Sequence, residues 1–483
     1  MVNLLALILA LFVIAQAFIG LTFLITCIWE KEKRATLFAG LQLAGMLIIG
    51  VLFLYLNYTG YFNTVDGTIV LVACLIAACG AAALLCRRTE PNQRAIRGTN
   101  GLIDGKVKRV DEREHVFARN RSLPPDSKQY RQFYEEHPGW EAADAARRKR
   151  GGPLGHPGNI DRPHEGPNVA ATLASLNIPL FLSDPEKVKP GQHPHFKSEK
   201  IELRPEEATK RIKGYTRKLG ADLVGITKIN PLWIYSHRGE IFHENWEDWG
   251  KPINIDHNFA IVFAEEMTLE MVGTGPHTPT VMESMRDYAK GAFISTQVAS
   301  FIANLGYSAT ANHLRHYEAL MVPLAVDAGL GEMGRLGYLM TQKYGPRVRL
   351  SAMTTDLPLI PEKPMDIGVE DFCKICKKCA NCCPSKSIPV DTDQTVVNGI
   401  VRWKLNADTC FDYWGKVGTD CDICMRVCPW SHADTLPHRL IKFMVTRNKY
   451  ARRFFNLLDD IFYGKQPRPK PAPEWADYSP PNA

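Results

Sequence analysis

Thirteen cysteines, nine of them between Cys373 and Cys428, mark where this 483-residue sequence concentrates its chemistry. The stretch FCKICKKCANCCPSKSI (372–388) packs five thiols into eleven positions. It reads C-x2-C-x2-C-x3-C-P: Cys373, Cys376, Cys379, Cys383, Pro384. A second run reads C-x10-C-x2-C-x3-C-P: Cys410, Cys421, Cys424, Cys428, Pro429. Two-residue gaps let thiolates converge from one tight loop on one inorganic cube, and a fourth cysteine followed by proline reaches the neighbouring cube. The spacing therefore predicts two [4Fe–4S] clusters. Cys373, Cys376, Cys379 and Cys428 go to one, and Cys383, Cys410, Cys421 and Cys424 to the other. Cys382 is left over, because the Cys-Pro pair marks Cys383. The rival reading is a pair of zinc sites from C-x2-C pairs, such as Cys379/Cys382 with Cys421/Cys424. Disulfides rank third in a reducing compartment.

Such thiols need a scaffold, and the chain opens with one for a membrane. Three uncharged apolar runs, roughly 3–29, 35–62 and 67–86, each reach the ~20 residues that an α-helix needs to cross a bilayer core. Cys27, Cys74, Cys79 and Cys86 lie in these runs and read as small apolar packers. The connector Glu30–Arg34 carries Lys31, Lys33 and Arg34, the second connector carries no Lys or Arg, and Arg87, Arg88, Arg94 and Arg97 follow the third run. The positive-inside rule then places the first connector and everything after residue 87 in the cytoplasm, on the inner membrane face. Residues 87–150 hold 16 Lys/Arg against 10 Asp/Glu, most of the net +7. Anionic lipid is the expected partner of that charge, ahead of nucleic acid.

Residues 147–167 are basic, then rich in Gly and Pro, and offer little to bury, so 89–168 reads as a linker with short structured pieces. From about 200 the pattern alternates. Residues 204–220 read as a helix closed by Gly220, 221–229 and 258–267 as strands, 283–306 as a long helix capped by Gly306, and 348–359 as a strand. This alternation predicts an α/β layer domain. The Pro-rich stretch 358–364 separates it from the cysteine region. The segment KQPRPKPAPEW predicts an extended, surface-bound tail.

The segment PLAVDAGLGEMGRLGYLMTQKYGPRVRLSAMTTDLPL (323–359), followed by the doubled cysteine motif, resembles the corrinoid-dependent reductive dehalogenases. NPLWIYSHRG (230–239) and FIANLGYSA (301–309) resemble that family too, so the likeness covers about 200–432. The resemblance implies a nitroreductase-like α/β cobalamin domain, a ferredoxin-like module and a three-helix anchor. The corresponding segments are 1–88 (anchor), 89–168 (basic linker), 169–365 (cobalamin-binding catalytic domain), 366–435 (ferredoxin-like domain) and 436–483 (C-terminal tail). It further implies removal of halogen from a small organohalide at cobalt reduced through the clusters. A low-potential ferredoxin, flavodoxin or quinol would feed electrons, with no nucleic acid involved. By position the family's proton-donating tyrosine is Tyr288, and the arginine beside it is Arg349, whose charge lowers a tyrosine pKa toward the working range. Asn312 or His316 stands for the family's asparagine. GLGEMG (329–334) implies a corrinoid-contacting loop with Gly329, Gly331, Gly334 and Arg335. A lone G-x-G-x-x-G is weak evidence for a dinucleotide fold. No D-x-H-x-x-G run occurs, and DRPHEG (161–166) has the wrong spacing, so cobalamin is expected base-off without a histidine ligand. Trp233, Tyr235, Trp246 and Trp249 either line the pocket or pack a core. Glu30-Lys31-Glu32 matches the Glu-x-Glu of the family's separate anchor proteins. The alternatives are an epoxyqueuosine-reductase-like enzyme and a membrane ferredoxin that only passes electrons.

Overall fold

The computed structural model describes residues 2–151, 165–184, 191, 193, 200–241 and 246–479. Most of the Gly/Pro-rich stretch, including 161–164 of DRPHEG, lies outside the described residues. The chain divides into two units, each drawn from three separate stretches.

One unit comprises Met1–Pro91, Ile367–Cys376 and His432–Lys470. Its first three helices, Val2–Trp29, Lys33–Tyr58 and Val65–Cys86, are each long and apolar enough to cross a membrane. Short side chains buried in the first two, Ala6, Ala35 and Ala39, let the helices approach closely. Thr64 caps the third helix by accepting from the Gly67 backbone N–H at 3.1 Å. The tail expected over 436–483 is helical for much of its length: Leu436–Arg447 and Lys449–Phe462 are two helices of this unit. Between them Asn448 is fully buried and donates to the carbonyls of Leu84 and Arg87 at 2.7 and 2.6 Å. Phe462 and Tyr463 pack with Phe23, Leu24, Cys27, Ala35 and Ala39. The Pro-rich segment beyond gives no hint of these helices, whose amphipathic spacing is the signal that predicts them.

The other unit comprises Asn92–Asp366, Lys377–Ser431 and Pro471–Ala483. Its centre is a four-stranded sheet of β1 (Leu223–Lys228), β2 (Phe259–Glu266), β3 (Ala309–Asn312) and β6 (Val348–Thr355), in the order β1-β2-β6-β3. β4 (Glu332–Met333) and β5 (Leu339–Met340) form a separate hairpin. The expected helices and strands are present, and Gly220 and Gly306 hold the left-handed backbone (φ +115° and +85°) that ends a helix. Every pairing in the sheet is antiparallel, so among the described residues the unit is helix layered on sheet without the parallel β-α-β crossovers of an α/β alternation. Helices Pro205–Lys218 and Thr278–Asn304 bury Ile212, Ile294, Val298 and Ile302 against one face through Ile226, Ile261, Phe263 and Met353. The other face carries Val262, Ala264, Leu324 and Trp233.

Residues 92–151, expected as a linker, pack into this unit. Ala118, Leu123, Phe133 and Tyr134 form a small core with Ile241 and Trp249. The basic residues there are spent largely inside the protein. Arg119 pairs with Asp144 at 2.8 Å and with Asp408, and Arg147 reaches Asp144, Asp408 and Asp412 at 2.8, 2.8 and 3.0 Å. The lipid expected to face this charge is replaced, for these residues, by carboxylates on the helix Ala407–Val417. Trp233 and Trp249 are core residues, 4% and 8% exposed.

Candidate active site

Tyr288 stands on the long helix Thr278–Asn304 and Arg349 on β6, so two neighbouring layers present them to each other. The Arg349 guanidinium lies 5.2 Å from the centre of the Tyr288 ring. Its Nη2 donates to Ser284 Oγ at 2.5 Å and to Asp420 and Asp422 carboxylates at 3.1 and 3.5 Å. Burial works against the charge on Arg349, but Tyr288, Asp422 and Asp420 together hold its pKa above the ordinary value. Tyr288 moves up from the usual tyrosine range: burial is the largest influence, and the opposing pull of Arg349 does not overcome it. The expected lowering by the adjacent cation is therefore present as a contribution and absent as a net effect. The tyrosine keeps its proton near neutral pH and has a cation beside it to receive the phenolate.

Tyr235, Tyr288, Tyr317, Tyr338, Arg121 and Arg349 are half-buried side chains of this unit. Two cations escaped the sequence reading. Burial, then Arg315, pushes the Arg121 pKa down to about 9, while Glu240 and Tyr288 pull it up. Arg315 holds a positive φ of 77° and reaches Glu240 at 3.8 Å. Arg121 lies in the segment that composition marks as linker, over the rings of Phe117 and Phe411 at 4.8 and 5.4 Å. An aromatic–basic pattern in HVFARNR was the one available signal.

The other expected residues have work within the fold. Asn312 is fully buried, and its Oδ1 accepts from the Glu318 backbone N–H at 2.8 Å, which braces the turn after β3. His316 Nδ1 lies 3.4 Å from Arg238, which is also paired with Glu318 at 3.1 Å. Gly329 has φ +70°, and a side chain there would meet the Lys363 carbonyl at 2.6 Å. At Gly331 it would strike the Met340 carbonyl, and at Gly334 the Met340 side chain at 2.6 Å. These glycines are thus demanded by the β4–β5 hairpin and its surroundings. Arg335 is fully buried, donates to the carbonyls of Pro389 and Asp391 at 2.7 and 2.6 Å and stacks 4.4 Å over Trp403. These contacts brace the loop that follows the β4–β5 hairpin's first strand.

Cys383, Cys410, Cys421 and Cys424 line one cavity together with Leu336, Tyr338, Trp414, Asp420 and Asp422. All thirteen cysteines are free of disulfides. Burial pushes Cys410 up to about 12 and Cys424 well above the ordinary thiol range, with neighbouring carboxylates and thiols adding to the rise. Cys383 alone of these four goes down: burial opposes, but Ser385 and the backbone N–H groups of Ser387 and Ile388 stabilise its thiolate. Four thiols, two buried and two half-buried, converging in one cavity beside carboxylates fit a positively charged inorganic group. Cys379 and Cys428 belong to the same unit, and Cys373 and Cys376 stand on the helix Val369–Cys376 of the other. Cys382 is half-buried and does not line the cavity.

No family model matches the chain. Over 275 residues it is 34% identical to a tetrachloroethene reductive dehalogenase of Dehalobacter restrictus, which covers 48% of this chain and 50% of that protein. The enzyme of the same description from Sulfurospirillum multivorans is 30% identical over 290 residues, covering 54% and 58%. The solved structure of the catabolic reductive dehalogenase NpRdhA matches with a TM-score of 0.57 at 24% identity, over 82% of this chain and 54% of that one. An epoxyqueuosine reductase of Cyclobacterium marinum is 33% identical over 125 residues, a quarter of this chain. The likeness to reductive dehalogenases thus holds in sequence over half the chain and in fold over most of it. The chain spans about half the length of the curated relatives it matches.

Proposed function

We propose that this chain is a membrane-anchored reductive dehalogenase that replaces halogen by hydrogen on a small organohalide. The observation that carries the reading is the Tyr288–Arg349 pair, enclosed beside a cysteine-lined cavity in a chain with these relatives. The net change is R–X + 2 e⁻ + H⁺ → R–H + X⁻. A bound corrinoid supplies the two-electron cleavage of the carbon–halogen bond, and two [4Fe–4S] clusters on the eight assigned cysteines supply the electrons. The half-buried rings of Tyr235, Tyr288 and Tyr317 would line the site of such a flat cofactor and keep bulk water from the reacting centre. Tyr288 donates the proton from its hydroxyl to carbon. Arg349 stabilises the resulting phenolate, and Asp420, Asp422 and Ser284 fix the guanidinium. Asp420 and Asp422 also line the thiol cavity, so the loop that holds the cluster also positions the proton donor's cation.

The loop charges support a catalytic domain on the cytoplasmic face, with a low-potential ferredoxin, flavodoxin or quinol as donor. The experiment is anaerobic purification in detergent with cobalamin, addition of a low-potential donor, and ion chromatography of halide released from chlorinated and brominated aromatics and alkenes. Stoichiometric halide and dehalogenated product are expected. Cobalt and iron present without halide release across that panel sinks the reading. The 125-residue likeness to an epoxyqueuosine reductase supports a second reading, for which tRNA retardation in a gel is the discriminating result.

A further inference from the structure

Glu30 closes the first apolar helix, and its carboxylate has no solvent exposure. A carboxylate buried at the end of a membrane helix is costly unless a cation meets it. Two imidazoles of the same unit stand beside it. His432 and His438 stack with ring centres 4.9 Å apart, and one ligand atom from each of Glu30, His432 and His438 lies within 4.8 Å of the other two. Glu30 Oε1 is 4.0 Å from His438 Nδ1. The outer contacts are those of a held ligand set. Asp459 Oδ1 is 2.7 Å from His432 Nε2, and the Tyr463 hydroxyl is 3.2 Å from His438 Nε2 and 3.5 Å from Glu30 Oε2. The Ala433 backbone N–H donates to Glu30 Oε1 at 3.1 Å, and Thr435 Oγ1 lies 3.1 Å from His438 Nδ1.

We infer that Glu30, His432 and His438 form a binding site for one divalent transition cation, of the zinc class, that fastens the first membrane helix to the segment 432–463. Two imidazoles and a carboxylate are a ligand set that zinc takes, with a fourth position left for water. Nε2 of each ring is held by Asp459 or Tyr463, so Nδ1 is the nitrogen offered to the metal, which takes the place of the Thr435 hydroxyl at His438 Nδ1. A carboxylate behind a ligating histidine fixes its tautomer and raises its basicity. Ligand atoms about 2.0–2.1 Å from zinc in a tetrahedron stand ~3.4 Å apart, so the 4.0 Å pair closes by less than an ångström. The site is separate from the thiol cavity and does not rest on the dehalogenase reading.

The test uses the full chain in detergent with its clusters loaded, stripped with a chelator and titrated with zinc chloride by calorimetry and mass-spectrometric metal analysis. One zinc per chain beyond the iron is expected. Glu30→Gln and His438→Gln should each weaken binding at least ~100-fold and Asp459→Asn ~10–100-fold. Glu32→Gln, in the same connector but paired with Lys470 at 3.2 Å, should leave affinity unchanged. Absence of zinc from the cluster-loaded wild type overturns the inference, as does undiminished affinity in His438→Gln. Zinc-edge X-ray absorption on the wild type keeps the test decisive if the variants fail to fold. Nitrogen and oxygen neighbours at about 2.0–2.1 Å support the site, and sulfur neighbours overturn it.

Discussion

Tyr288 and Arg349 form a pair in which each side chain sets the other's charge. Tyr288→Phe keeps the ring under Arg349 and removes only the proton, so turnover should fall by ~10²–10⁴ with substrate affinity little changed. Arg349→Lys keeps a charge but loses the planar fork that spans Ser284, Asp420 and Asp422, and halide release should fall at least ~10-fold. Stopped assays of halide across substrate concentration check both. Cys424→Ser should lower iron content and bleach the visible absorbance, whereas Cys382→Ser, outside the cavity, should leave both unchanged. At this scale the sequence was most legible where chemistry fixes spacing: Cys421 and Cys424 are three positions apart because they line one cavity. Tyr288 and Arg349 were legible only through the likeness, since 61 positions separate them. Arg121, Arg315 and Glu240 were missed because they meet through the tertiary fold alone.

Among the elements, the strands and long helices follow their periodicities, but two regions departed from expectation. The basic, then Gly- and Pro-rich stretch 147–167 made 89–168 read as a linker with short structured pieces, and over 92–151 pairing with Asp408 and Asp412 makes its charge structural. Glu112 shows how deeply the segment is built in: it is 3% exposed and accepts from the backbone N–H groups of Gly239 and Glu240 at 2.7 and 3.2 Å. Burial, then the charge of Glu240, raises its pKa from 4.5 to about 8. The folded state therefore binds this proton more tightly than the unfolded chain. The stability it contributes is full below pH 4.5 and is lost as pH rises through about 8. Glu112→Gln should flatten that decline, which denaturation midpoints taken from pH 5 to pH 9 will show. The second departure is the pair of helices after 436, whose amphipathic spacing is the one local signal and whose buried partners lie far earlier in the chain, in its first three helices.

In the whole molecule, the membrane helices are part of a folded unit that also needs residues 367–376 and 432–470. Leu440, Phe443, Phe454 and Leu457 are already exposed on the C-terminal helices, and removing the first 86 residues uncovers Phe462 and Tyr463 as well. A variant starting at residue 87 should therefore still require detergent to remain monodisperse in size-exclusion chromatography, although it lacks every apolar run.

The backbone passes from one unit to the other at 91–92, 366–367, 376–377, 431–432 and 470–471. A protease cutting once near residue 91 would sever a peptide bond without liberating the second unit, because two later stretches of the chain still belong to the first. Recombination faces the same obstacle. Exchanging the unit that carries the apolar helices for another means rewriting the middle and the end of the gene as well as its beginning, so the two units are bound to evolve as one piece.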